Sequence, residues 1–268
     1  MGENRNPRRL RPHWLGAQKG DDIDDPGNCR APAHGELEKF DWYYKPHKWE
    51  HDVALIDLKG CSRVLEVGCG TGAFLERIER ELNIQADGLE LSSSAAAAAV
   101  AKGLRVSQDD LEAIASENGT PYDAVCAFQV LEHVSDPLGF LRSAIQVLKP
   151  GGKLIIAVPN MDSFLRHAKE DLPNQPPHHI TQWCKAAALS LPTLLPVRLS
   201  SLKVESLDRD HVDWFISSHA RRFPARMRLR GVSRRLMSWL IRPLLRSSPA
   251  CRSRISGHTL YFCLEKVG

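Results

Sequence analysis

The stretch Val64-Leu65-Glu66-Val67-Gly68-Cys69-Gly70-Thr71-Gly72 decides the fold. An apolar run enters glycines at alternate positions, and Ala73–Leu82 then takes up helical spacing. A strand that reverses tightly into a helix needs glycine where the chain turns sharply and where a ligand meets bare main chain. The unpaired N–H groups that open such a helix face the ligand. Taken alone, the motif also fits a plain strand–helix turn.

Outward from it, strand and helix signals alternate. Ala86–Leu91 reads as a second strand and Ser92–Lys102 as an alanine-rich helix with serines placed to cap it. Leu104–Ser107 is a brief third strand. Tyr122–Phe128 is a fourth, followed by a helix to about Leu148. Lys149–Gly152 is a tight turn and Lys153–Val158 a fifth strand. This alternation predicts an α/β chain whose parallel sheet carries helices on both faces. Past Pro159 the pattern loosens into a proline-containing loop to Ile180. A helix over Thr181–Leu191 follows, then strands over Ser201–Leu207 and His258–Glu265. On the other side, Glu36–Lys59 is helical and aromatic and is divided by Pro46, while residues 1–35 read as a flexible tail.

Glu90 ends the second strand, eighteen residues after Gly72. A carboxylate there can accept both hydroxyl hydrogens of a ribose. Loop and acid together specify an adenosine-type cofactor without saying which.

Five segments in order carry a family resemblance. Val64–Gly72 is similar to the first motif of class I S-adenosylmethionine (SAM)-dependent methyltransferases. Gly88–Ser92 resembles their ribose motif, Gln108–Leu111 the adenine-edge motif, Tyr122–Pro137 the fourth-strand motif, and Leu148–Gly152 the turn before the fifth strand. The match runs from about residue 40 to 160 and weakens beyond. The resemblance implies a Rossmann-like, seven-stranded, mostly parallel sheet with an antiparallel last strand inserted beside the fifth. It implies that Glu66, Gly68, Gly70 and Gly72 lie around the methionine end of SAM, with Gln129 lining that side. Glu90 would hold the ribose, and Asp109 with the backbone of Asp110 would meet the adenine. The aromatic segment 36–59 corresponds to a helical lid over the cofactor, or packs ordinarily on the sheet. The domain would then span 36–268.

A sulfonium is already an activated electrophile, so the protein's task is to align the acceptor and exclude water. An oxygen acceptor also calls for a base. His178 and His179 follow the fifth strand, and ligands in open parallel sheets bind beyond the strands' carboxyl ends. Either is a candidate general base or acceptor contact; the alternative is that both fix their loop by hydrogen bonds. Glu132-His133 raises the question of a metal. The ubiquinone-pathway members that the region resembles carry a second glutamate where this chain has Gln129, so no metal is expected.

Composition bounds the rest. Hydrophobic residues at 43% and charged residues at 25% are ordinary for a globular chain. No apolar run reaches the ~18 residues of a transmembrane helix, and the N-terminal residues lack a secretory core. Seven scattered cysteines without a C-x-x-C pair fit free thiols in the cytoplasm. The net charge of +4 is unevenly placed: eleven arginines and no Asp or Glu lie between His219 and Ser256. Within this insertion (211–256), Leu229, Val232, Leu236, Leu240 and Leu244 recur at helical spacing over Arg226–Arg246, with Arg228, Arg235 and Arg242 on another face and Pro243 expected to kink or end the helix. Such a helix lies peripherally on the inner membrane surface or packs on its own domain. Nucleic acid is the weaker partner, since no RNA-binding module is present.

The leading function is therefore methyl transfer from SAM to an oxygen or nitrogen of a small-molecule, saccharide or lipid-like acceptor. A nicotinamide-dependent oxidoreductase shares the glycine–acid logic, but the glycine spacing and the Leu148–Gly152 turn speak against it. A non-catalytic SAM-binding scaffold is the other alternative.

Overall fold

The computed structural model describes residues 48–117, 119, 121–168, 174–220 and 229–268. The tail at 1–35, the aromatic positions up to residue 47, and Arg226 and Arg228 lie outside the described residues. Elements follow in the order α1 (Trp49–Asp57), β1 (Arg63–Val67), α2 (Ala73–Leu82), β2 (Gln85–Leu89), α3 (Ser93–Ala101), β3 (Arg105–Ser107), α4 (Leu111–Ser116), β4 (Tyr122–Phe128), α5 (Pro137–Gln146), β5 (Leu148–Pro159), α6 (Lys185–Leu194), β6 (Val197–Ser206), α7 (Val212–Ala220), α8 (Leu229–Ser247), α9 (Pro249–Arg252) and β7 (Ser256–Lys266). They build one sheet in the order β3-β2-β1-β4-β5-β7-β6. β1 to β5 pair in parallel, and β7 enters antiparallel between β5 and β6. This is the seven-stranded Rossmann-like sheet that the motifs implied.

The central strands are apolar on both faces because both are covered by helices. Side chains alternate strictly between two cores. Leu65, Val67, Val125, Ala127, Leu154, Ile156, Leu260 and Phe262 point to one core, where Leu141 and Ile145 of α5 and Leu191 of α6 meet them. Val64, Cys126, Ile155 and Tyr261 point to the other, against Leu58, which caps α1, and Phe74 and Ile78 of α2. The strands' carboxyl ends thus converge on one edge, and the order reverses between β1 and β4, where open α/β sheets bind ligands.

Several boundaries differ from the sequence reading. After β4 the chain makes a single 3-10 turn, Leu131–His133, before α5 starts with Asp136 as its cap, whose side chain accepts from Gly139 N–H. The expected turn at Lys149–Gly152 lies within β5 as an excursion: the register to β4 jumps from Tyr122↔Leu148 to Ala124↔Lys153. The helix expected from Thr181 begins at Lys185. Thr181 N–H donates instead to Glu132 C=O (3.0 Å), and Trp183 bridges to Asn160. β6 starts earlier than Ser201, at Val197, its start concealed by the polar residues of an edge strand.

The arginine-rich insertion forms the helix that its spacing predicted. α8 runs through Pro243 without ending there. The stripe Leu236, Leu240 and Leu244 faces solvent. Ile241 and Leu245, on the opposite side, pack with Phe164, Val212 and Ile216.

Candidate functional site

The glycine loop closes by main-chain bonds. Gly68 and Cys69 N–H both donate to Leu89 C=O, at 2.8 and 3.1 Å, joining the ends of β1 and β2. Gly68 (φ +73°) and Gly72 (φ +80°) adopt left-handed conformations, and Gly70 does so at +55°. A Cβ on Gly68 would stand 2.5 Å from Val130 Cγ2, and one on Gly72 would press on Leu104 Cδ1. Both space and backbone conformation therefore require glycine here.

Glu90 leaves the end of β2 and locks the loop. One oxygen accepts from Gly70 N–H and the other from Ser92 N–H, each at 2.8 Å. A carboxylate has about four acceptor positions, so these two bonds orient it and leave capacity for two more donors, as a ribose diol offers. Asp109 accepts from the Ser107 hydroxyl, which in turn accepts from Asp109 N–H at 3.1 Å. Asp110 spends its side chain capping α4, accepting from Ala113 N–H at 2.7 Å. Its main chain, not its carboxylate, is what it can present to a base edge.

Glu66 sits on β1, 4% exposed, with one oxygen lacking a hydrogen-bond partner among the described residues. Burial pushes its carboxyl up to about 8; Glu90 raises it further and Lys48 opposes. A buried carboxyl with an unmet acceptor is matched to a charged or hydroxyl donor brought by a ligand. The bare glycine loop, the oriented Glu90 and this orphaned oxygen fit an adenosyl cofactor with an ammonium-bearing arm. Gln129 stands beside the loop in a left-handed conformation (φ +56°), its N–H donating to Ala157 C=O at 2.8 Å.

His178 and His179 follow β5 and come to the same edge, on a turn whose two N–H groups donate to Gln175 C=O at 2.9 and 3.1 Å. Ile180 N–H donates to Glu132 C=O (2.8 Å), tying this turn to the end of β4. Both rings are half-buried and lie within 4.9 Å, centroid to centroid, of the His133 ring. Burial, aided by neighbouring histidines, pushes His179 down to about 3, so it stays neutral at ordinary pH.

Three further carboxyls belong here: Glu50 and Glu205, which the sequence reading passed over, and Glu132, which it raised only as part of a metal question. Glu50 of α1 is 4% exposed and is raised by burial. Its spacing to Val53 and Ala54 puts it on the buried face, which is the signal that could have found it. Glu132, 1% exposed and with neither oxygen hydrogen-bonded among the described residues, is pushed by burial to about 8. Glu205 of β6 accepts from Thr259 N–H at 3.1 Å and is pushed by burial, with help from Glu50, to about 7. Nothing in an edge-strand sequence marks Glu205. Of the lid segment, only α1 is described. Trp49 meets the Tyr261 ring edge-on at 6.3 Å, and His51 lies 4.5 Å from the Phe74 ring, so these two rings pack on the domain.

Comparison with known proteins agrees with this geometry. Residues 41–195 match the methyltransferase domain family. The chain is 36% identical over 121 residues to a ubiquinone biosynthesis O-methyltransferase of Xanthomonas oryzae pv. oryzae, covering 43% of this chain and 50% of that protein. It thus spans about half the length of the curated relatives it matches. Among solved structures, the plantazolicin methyltransferase BpumL in complex with SAH superposes with a TM-score of 0.57 at 16% identity, covering 96% of this chain and 93% of that one. A putative methyltransferase of Haloferax volcanii, solved with its Trm112 activator, gives 0.56 at 16% identity over 82% and 90%. At those identities the structures speak for the fold alone. The family match covers more than half of the chain, which therefore belongs to the methyltransferase domain family and carries a SAM-dependent methyltransferase domain.

Proposed function

We propose that the protein transfers the methyl group of SAM to an oxygen or nitrogen of a small-molecule, saccharide or lipid-like acceptor held over the carboxyl edge of the sheet. The observation that carries this reading is the loop Gly68–Gly72 locked to a two-armed Glu90 beside the buried, unsatisfied Glu66. In this reading Glu66, Gly68, Gly70, Gly72 and Gln129 surround the methionine arm, Glu90 takes the ribose, and Asp109 and Asp110 meet the adenine. SAM, when bound, supplies the electrophilic methyl; the chain aligns the acceptor and keeps water out. The O-methyltransferase relative favours an oxygen acceptor. Proton removal then needs a base matched to neutral pH. Glu205, raised to about 7, fits that need better than His179, lowered to about 3. His178 and His179 serve as acceptor contacts. Transfer of labelled methyl from SAM to an extract fraction, with Glu205→Gln slowed far more than its acceptor KM changes, tests this; transfer at the wild-type rate in Glu205→Gln refutes the base.

We also infer a cytoplasmic protein that rests peripherally on anionic membrane. No helix among the described residues is long and apolar enough to cross one. α8, however, shows solvent an apolar stripe of Leu236, Trp239, Leu240 and Leu244, with Arg235 exposed at its side. An exposed tryptophan among leucines, in a segment of eleven arginines without an acid, is complementary to anionic headgroups over acyl chains. Vesicles containing phosphatidylglycerol should sediment the protein, and neutral phosphatidylcholine vesicles should not; equal behaviour with both sinks the inference.

A further inference from the structure

We propose that His133, His178 and His179 form a binding site for a divalent transition-metal ion of the zinc class, on the acceptor side of the sheet's carboxyl edge. One ring nitrogen of each lies within 4.8 Å of one from each of the others. A tetrahedral ion with bonds of about 2.0–2.1 Å needs such nitrogens roughly 3.3 Å apart, so the rings must close by about 1.5 Å at most. Small rotations of half-buried side chains supply that.

Orientation is what sets this cluster apart from a chance group of histidines. His133 Nδ1 lies 2.7 Å from His178 C=O, an acceptor only, so that nitrogen carries the proton and Nε2 carries the lone pair. His179 Nδ1 lies 3.2 Å from Asn174 Oδ1, and Asn174 is buried, which fixes the same tautomer. An imidazole whose other nitrogen is held by a carbonyl oxygen is prepared as a metal ligand. Glu132 stands beside the cluster: one of its oxygens is 3.9 Å from His133 Nε2, and neither has a hydrogen-bond partner among the described residues. The donors come chiefly from the turn after β5, tied to β4 through the Ile180 and Thr181 N–H groups. Gln129, where the ubiquinone-pathway members carry glutamate, leaves a nitrogen-rich set, and imidazole selects zinc, cobalt, nickel or copper over magnesium or calcium.

Ion binding needs no methyl transfer. A role in polarising an acceptor oxygen would rest on the methyltransferase reading, so the test reads binding alone. The full chain is titrated with Co²⁺, followed by its visible d–d bands, and with Zn²⁺ by calorimetry. One equivalent should bind, and His133→Ala, His178→Ala and His179→Ala should each weaken it at least tenfold. His219→Ala, a histidine on α7, should leave it unchanged. Affinity for S-adenosylhomocysteine (SAH) in each variant reports that the fold survives. Asn174→Ala, which keeps every ligand but frees the His179 ring, should weaken binding less than His179→Ala. Absence of Co²⁺ bands and Zn²⁺ heat in the wild type overturns the site, as does wild-type affinity in His179→Ala.

Discussion

Replacing Gly68 with alanine should unfold the glycine loop's geometry before it touches any ligand. Two separable costs arise. The φ of +73° is left-handed, which costs an L-residue about 1–2 kcal/mol. The new Cβ would also stand 2.5 Å from Val130 Cγ2, where carbon atoms prefer about 3.5–4.0 Å. Overpacking of this kind costs about 1–3 kcal/mol. No other side chain comes near that Cβ: within 4 Å it would meet only the Val130 side-chain carbons. Val130→Ala should therefore remove the second cost and leave the first. Urea unfolding of the wild type, both single variants and the double variant closes the cycle. Gly68→Ala should lose about 2–5 kcal/mol alone and only about 1–2 in the Val130→Ala background. A coupling below about 0.5 kcal/mol would show that Val130 does not press on the loop and that the close approach is misread.

Three further outcomes follow from other contacts. Glu66, Glu132 and Glu205 are all raised by burial, so these three bind more protons in the folded apo protein than in the unfolded chain between about pH 4.5 and 8, and the stability they contribute should fall as pH rises through that window, while His179 and His258, lowered to about 3, act in the opposite sense below about pH 6.5. Glu132→Gln should make the slope shallower, by at most about 1.4 kcal/mol per pH unit; an unchanged slope in melts from pH 5 to 8 contradicts the buried placement. Arg242 and Arg246 both reach Asp213 at 2.7 Å, so Asp213→Asn should loosen α8 from α7 and raise amide exchange in α8, with a global effect under about 1 kcal/mol because these pairs are half-exposed. Trp239→Ala should reduce sedimentation with anionic vesicles while leaving the melting curve intact, since its ring is 77% exposed; a loss of stability instead would make the stripe a packing surface.

The sheet was legible because its signals are local. β1 and α2 match the sequence reading residue for residue, as an apolar run, glycines and a periodic helix force one another's boundaries. The meeting of glycine loop and acid was legible for the same reason: Gly68 to Gly72 and Glu90 are brought together by neighbouring strands. The acceptor side was not. Glu50, Glu132 and Glu205 come from α1, the turn after β4 and an edge strand, and only the fold brings them near one another and shows that they are buried. Glu205 lies among serines and a lysine in β6, where alternation is weak. Periodicity alone did not say which face of α8 packs. That helix is apolar on two sides, so periodicity picked out the Leu236–Leu240–Leu244 stripe, while Ile241 and Leu245 do the packing. All three histidines of the cluster were named in the sequence, but His133 lies 45 residues from His178, and only the fold brings it against His178 C=O.

Calorimetry of SAH and SAM binding to the wild type and to Glu90→Ala puts the account at most direct risk. The account predicts saturable binding of both to the wild type, none of NADH, and at least a tenfold weaker affinity, about 1.4 kcal/mol, once Glu90 is removed. A wild-type protein that takes up neither compound, or a Glu90→Ala variant that holds them as tightly, would contradict it.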